Sequence, residues 1–221
     1  MIAALFVDPA GIYSKLQGLD LWCEARDARA YSGPHPVIAH PPCERWGRYW
    51  GGGPSAAKQR YLGDDKGCFA AALWAVRTFG GVLEHPEASH AWRWHGLERP
   101  KMGVGWIAAD SFDGWTCCVF QGHYGHPAPK ATWLYAVRAV RPEMNWTRAQ
   151  GLRLDEGFHS SEERRAARNA GQKPRKRLSK QDALATPREF AQILIEMARS
   201  VNLKTERATL KTPAQKSFDL P

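Results

Sequence analysis

Short apolar runs, each broken by proline or glycine, set the rhythm of the first two thirds of the chain. Ala3-Ala-Leu-Phe-Val7 ends in Asp8-Pro-Ala-Gly11, the pattern of a buried strand followed by a turn. Leu19-Asp-Leu-Trp22 reads as a second short strand. Glu24 to Tyr31 reads as a helical turn stopped by Ser32-Gly-Pro34. Pro36-Val-Ile-Ala-His40 is another buried strand, and it stops at Pro41-Pro-Cys43. A helix capped by Ser55 or Asp64 is predicted to run to Phe79, with Phe69, Leu73 and Val76 on one face and Gly80-Gly81 closing it. Val82-Leu83 opens a strand that ends at Glu84-His-Pro86. Thr116 to Gln121 and Thr132 to Val137 then read as two strands around the turn Gly122 to Lys130. Strands alternating with helical stretches predict a parallel-type α/β sheet with helices on both faces. Ligands of such sheets sit at the carboxyl ends of the strands, where Asp-Pro-Ala, Pro-Pro-Cys and Glu-His-Pro all fall.

The pattern changes after residue 150. From Glu162 to Lys180 the chain is a charge run that includes Arg164-Arg165, Arg168 and Lys173-Pro-Arg-Lys-Arg177, and its proline and glycine forbid one continuous helix. Pro187 to Val201 regains helical spacing through Phe190, Ile193, Leu194 and Met197, with Thr186 expected as the N-cap and Pro187 at the first helical position. The organisation predicted is a compact α/β domain over 1–150, a basic segment with a C-terminal helix packing on the domain over 151–201, and a disordered tail over 202–221.

Charge adds a partner to this picture. Of the net +9, residues 1–150 carry +3 and residues 151–221 carry +6, while all ten tryptophans lie between Trp22 and Trp146. An aromatic body with a basic end points to a polyanion, DNA first, met by Arg45 and Arg48 near the body and by Arg175, Lys176 and Arg177 on the extension. No apolar run reaches the 18 residues or so that a membrane-spanning helix needs, so no membrane partner is expected. Five cysteines without compact spacing argue against a secreted disulfide scaffold. Met1 to Asp8 lacks the basic start of a signal peptide, and a cytoplasmic setting is expected.

Three residues stand where chemistry is expected. Cys43 follows two prolines at a strand end, which holds a thiol in a loop, where it is a candidate nucleophile. Glu84 lies at the sheet's carboxyl edge, where burial would raise its pKa and make it an acid. Lys130 ends the turn before a strand and offers a cation to a carbonyl or phosphate. His123 and His126 near Cys117-Cys118 have a loose metal-ligand spacing, but adjacent cysteines on a strand face opposite ways, and no metal is expected.

In their order these segments, Val37-Ile-Ala-His-Pro-Pro-Cys43, Leu83-Glu-His-Pro86 and Gln121-Gly-His-Tyr-Gly-His-Pro-Ala-Pro-Lys-Ala-Thr-Trp133, resemble the catalytic core of cytosine-C5 DNA methyltransferases, especially short phage-borne relatives. The resemblance covers roughly residues 35–137. It implies a Rossmann-like methyltransferase sheet with a reduced N-terminal cofactor region. It also implies Cys43 as the nucleophile that attacks C6 of the base, Glu84 as the acid at N3, Lys130 as the contact to O2, and S-adenosylmethionine as cofactor in the cytoplasm of a bacterium or phage-infected host. Asp8, Gly11, Glu24 and Pro41 are the expected cofactor residues. The chain departs from the family in having one glycine and no G-x-G after the first strand, in His85 where the family has asparagine, and in a single lysine where it has paired arginines. No separate target-recognition domain is evident. A non-catalytic nucleic-acid-binding relative and a nucleotide-modifying enzyme with another donor are the alternatives.

Overall fold

The computed structural model describes residues 1–52, 59–152, 161–171 and 178–201. Seven strands form one open sheet: β1 (Ile2–Leu5), β2 (Leu19–Trp22), β3 (Val37–Ala39), β4 (Gly81–Pro86), β5 (Ile107–Ala108), β6 (Gly114–Phe120) and β7 (Ala131–Val137), in the order β2-β1-β3-β4-β7-β6-β5. The helices are α1 (Cys68–Phe79), α2 (His90–Trp94), α3 (Ser161–Asn169), α4 (Lys180–Leu184) and α5 (Arg188–Arg199). The first four strands are mutually parallel, but β7 is antiparallel to both β4 and β6, and β5 is antiparallel to β6. The sheet is therefore mixed rather than parallel throughout. The turn between β6 and β7 is short enough to reverse the chain directly, so no crossover helix is needed there.

Residue parity along the strands sorts the core into two layers. Ala3, Leu5, Val37, Ala39, Leu83 and Tyr135 face α1, which supplies Phe69, Ala72, Leu73 and Val76. Ala4, Ile38, Val82, Val119 and Leu134 face α5, which supplies Phe190, Leu194 and Met197. Cys117 and Cys118 fall in opposite layers, as the alternation of a strand requires. Burying Phe69 fully stabilises the fold by roughly 1.5–3 kcal/mol. Gly81 sits at φ +121°, and a Cβ there would overlap the Val37 carbonyl oxygen, so the start of β4 can approach β3 only as glycine.

α1 starts later than the expected Asp64 or Ser55 cap implies. α1 begins at Cys68, and its first turn is held by Asp65 rather than Asp64: the Asp65 carboxylate accepts the Phe69 N–H at 2.8 Å and the Gly67 N–H at 2.9 Å. Ser55 lies outside the described residues. α5 begins one residue later than expected, with Pro187 itself at the cap and its carbonyl accepting the Ala191 N–H. Glu24 to Tyr31 forms two 3-10 turns, and Asp27 between them takes a left-handed φ of 48° and accepts the Arg29 N–H. Residues 172–177 and 202–221, which hold Arg175, Lys176, Arg177 and the expected tail, lie outside the described residues.

The strand order places a crevice. From β1 the chain moves to β2 on one side, then returns to β3 on the other. Where the direction of winding reverses, loops leave the carboxyl ends of β1 and β3 in opposite directions and open a gap between them.

Candidate functional site

That gap is a cavity of about 680 Å³. Phe6, Val7, Asp8 and Pro9 leave β1 into it, Cys23 and Glu24 leave β2, and Pro42, Glu44 and Arg45 leave β3. Asp64, Asp65, Lys66 and Cys68 close it from the start of α1. Carboxylates outnumber cations in the wall: Asp8, Glu24, Asp27, Glu44, Asp64 and Asp65 against Arg29, Arg45 and Lys66. Of the expected cofactor residues, Asp8 and Glu24 line the cavity. Gly11 and Pro41 are not among its lining residues: the Gly11 N–H closes a turn on the Asp8 carbonyl at 2.9 Å, and Pro41 is buried. Arg45, expected on a nucleic-acid rim, is instead part of this wall, with its Nη1 buried and without a hydrogen-bond partner. Arg48 is exposed on the loop beyond.

Cys43 sits between the two cavity residues Pro42 and Glu44 but does not itself line the cavity. Its carbonyl accepts the N–H groups of Trp46 and Gly47, which turns the chain sharply after the cysteine. Trp46 is buried, donates its indole N–H to Asp65 at 2.8 Å, and packs on Phe69, Trp94 and His95. Of the aromatic residues around Cys43, Trp46 thus anchors the loop, while Tyr49 is exposed.

Register explains what Cys43 faces. β3 and β4 pair Ala39 with Leu83, so the next position pairs His40 with Glu84 on the α5 side of the sheet. His40 Nδ1 lies 2.9 Å from Glu84 Oε2, with the two side chains only 13% and 11% exposed. Gln121, one residue past β6 and of the same parity, donates its Nε2 hydrogens to Glu84 Oε1 at 3.0 Å and to Thr132 Oγ1 at 2.9 Å. Tyr13 Oη lies 2.7 Å from His40 Nε2. Both carboxylate oxygens of Glu84 are therefore held, and the row Tyr13, His40, Glu84, Gln121, Thr132 is continuous.

The charges follow from this row. Burial pushes Glu84 up, but the hydrogen bond and charge of His40, with Lys130 and His85 beyond, outweigh it and hold the carboxyl below its ordinary value. This corrects the expectation of a raised Glu84: the residue stands as a carboxylate. Burial first, then the Glu84 charge, push the Cys43 thiol up, and the opposing pull of Lys130 does not prevail. Lys130 is lowered by burial, with Glu84 and Cys43 pulling it back. The three expected catalytic residues thus lie close enough to act on one another electrostatically. Lys130 also donates to the carbonyls of Leu184 at 3.1 Å and Ala185 at 2.7 Å, closing the end of α4. Two of its three N–H donors are engaged there.

His85, on the opposite face, is 1% exposed between Phe69 and Trp92, and burial brings it down to about 4. Its ring nitrogens make no hydrogen bond of good geometry, although the Pro42 carbonyl lies close enough to favour the protonated form. His126 accepts from the Ala128 N–H and contacts the Asp182 carbonyl, and His123 contacts the Thr147 carbonyl. Among the described residues no group of three His, Cys, Asp or Glu could hold a metal ion, and no helix is long and apolar enough to cross a membrane.

Sequence reasoning took His40 for a rim or satisfied histidine without a role, and missed Tyr13, Gln121 and Thr132 as site residues. His40 and Gln121 carried a signal, since each continues the parity of a strand whose end it marks. Tyr13 carried none. Compared with protein-family models and with curated proteins, the chain matches none.

Proposed function

We propose that the protein modifies cytosine at C5 in DNA by methyltransferase-like chemistry on a Rossmann-like sheet. The observation that carries this reading is the arrangement around Pro42 and Cys43. On one side lies a winding-reversal cavity at the ends of β1 and β3, and on the other Cys43 is under the charges of Glu84 and Lys130.

The chemistry needs a nucleophile, an anchor at N3 and a base held out of its stack. Cys43, once ionised, adds to C6, and the displaced electron pair moves towards N3 as that nitrogen takes up a proton. In this reading Glu84, as a carboxylate, accepts the hydrogen bond of the N3–H so formed. C5 becomes enamine-like and nucleophilic. Once C5 has bonded to an electrophilic carbon, loss of its proton to water re-forms the C5–C6 double bond, breaks the C6–S bond and returns the thiolate, and N3 gives back the proton it took up. Lys130, with one donor left, is the cation available to the base carbonyl or to the forming thiolate.

The cavity wall suits S-adenosylmethionine in its chemistry. Its carboxylates match a sulfonium and an ammonium, and Arg45 Nη1, buried without a partner, matches a carboxylate. Its volume is that of a small-molecule site. Asp8, Glu24, Glu44, Asp64 and Arg45 are the residues that would hold the cofactor, which when bound supplies an electrophilic methyl carbon. DNA is the proposed partner, with Arg48 and Tyr49 at the site and the basic residues past 150 reinforcing the contact.

A second reading, a nucleic-acid-binding relative without catalysis, has its own observation: the Cys43 thiol is pushed up and Lys130 is held by two carbonyls. A mechanism-based trap separates the two. With 5-fluorocytosine DNA and S-adenosylmethionine, the catalytic reading predicts a covalent adduct that Cys43→Ser abolishes. DNA binding without adduct, together with no cofactor binding by calorimetry, would establish the second reading instead.

A further inference from the structure

We propose that His40 is a positioning residue: held between Tyr13 and Glu84, it keeps Glu84 an oriented carboxylate facing the Cys43 loop. The proposal rests on the reading of Glu84 as the group that meets the base, and it assigns to that site a control which the resemblance does not supply.

Three distances carry it. Tyr13 Oη to His40 Nε2 is 2.7 Å, His40 Nδ1 to Glu84 Oε2 is 2.9 Å, and Gln121 Nε2 to Glu84 Oε1 is 3.0 Å. Tyr13 is buried on the α5 side, and burial followed by the Glu84 charge keeps its phenol protonated. A carboxylate only accepts, so the Nδ1 hydrogen of His40 faces Glu84, and Nε2 pairs with the Tyr13 hydroxyl, which can both donate and accept. A hydrogen bond to a charged acceptor is stronger than one between neutral groups, and Glu84 has little water to replace it. Without His40, burial, which favours the neutral acid, is opposed by less, with Lys130 and His85 still acting against it. The register makes the pair structural: His40 and Glu84 are neighbours because β3 and β4 pair Ala39 with Leu83.

Glu84 has other ionisable neighbours. Lys130 and His85 favour its charge, Tyr13 and Cys43 feel it, and Glu44 acts with Glu84 on Cys43. The test must isolate the contribution of His40, and Cys43 provides a readout that needs no substrate. Its thiol is raised partly by the Glu84 charge, so neutralising Glu84 should ease thiolate formation.

The experiment is the pH dependence of iodoacetamide alkylation of Cys43 in the full chain, read on the Cys43 peptide by mass spectrometry, because Cys23 and Cys68 are also part-exposed. Glu84→Gln should react several-fold faster than wild type near neutral pH. His40→Ala should shift towards Glu84→Gln, most at the acid end of the profile and least at the alkaline end, as Glu84 ionises again. His40→Asn, which keeps an amide donor, should stay nearer wild type. Adding His40→Ala to Glu84→Gln should change nothing further. A His40→Ala profile that follows wild type throughout overturns the proposal. So does an equal shift with and without Glu84, since a merely structural role would act in both backgrounds. Should His40→Ala not fold, Tyr13→Phe removes only the hydroxyl and carries the same comparison with a smaller displacement. An intact alkylation pattern without a 5-fluorocytosine adduct would reject the base-modifying reading and leave the His40 assignment standing. An adduct without the alkylation pattern would reject the assignment alone.

Discussion

Replacing His85 by phenylalanine should remove a pH dependence of stability that the native protein carries. The imidazole is 1% exposed, stacked on Trp92 at 6.2 Å and edge-on to Phe69 at 5.2 Å, and its nitrogens find no good hydrogen bond. Burial takes it from 6.5 to about 4. Between those values the unfolded chain binds a proton that the native protein does not, so native stability rises with pH across the window and falls as pH drops below 6.5. At roughly 1.4 kcal/mol per pKa unit, the full effect below pH 4 is about 3 kcal/mol, and about 2 kcal/mol of it is already lost by pH 5. Phenylalanine keeps an aromatic ring against Trp92 and has nothing to titrate. Urea unfolding at pH 8 and pH 5 measures the difference. Wild type should lose about 2 kcal/mol more than His85→Phe over that interval. His95 and His126, also lowered by burial, titrate in both proteins and cancel. Equal losses in the two would mean that the native ring is protonated or solvated at pH 5, and the account of the pocket behind Cys43 would be wrong.

Two further outcomes follow from single side chains. Asp65→Ala removes acceptors for the N–H groups of Gly67, Phe69 and Trp46, and should cost about 2–4 kcal/mol in urea unfolding, partly restored in Asp65→Asn. A loss below about 1 kcal/mol would show that water replaces these bonds. Arg45→Ala should weaken S-adenosylmethionine binding about tenfold or more by calorimetry, with Arg45→Lys a poor substitute, because a forked donor is what a carboxylate matches. An unchanged affinity would take Arg45 out of the proposed cofactor site.

Much of the sheet was legible because its strands are short, apolar and punctuated. Val37–Ala39 and Leu19–Trp22 stand out from their prolines, glycines and charges, and the turn before Ala131 announces itself. Strand direction was not legible. The buried runs Val82-Leu83 and Trp133 to Val137 look alike whether they pair parallel or antiparallel, and only the length of the connection decides. The cap of α5 was legible to within a residue, but that of α1 was not: Gly67 holds the position expected for Asp64 or Ser55, while Asp65 accepts from the first turn and from Trp46.

The site was legible as positions but not as charge states. Cys43, Glu84 and Lys130 could be named because strand ends in an α/β sheet are where ligands meet the chain. The state of Glu84 depends on His40, 44 residues away in sequence, whose relation to it is a register, and register is set by side-chain packing on both faces. The same limit hid the cavity from the reading of Arg45. A cation beside tryptophans reads as a rim for nucleic acid, yet burial of Trp46 against Phe69 draws that loop inward and places the guanidinium in the cavity wall. Parity offers a partial remedy. His40, Glu84, Gln121 and Thr132 all project to the α5 face, and four polar residues of one parity at the ends of adjacent buried strands have no reason to be there unless they bond to one another or to a ligand.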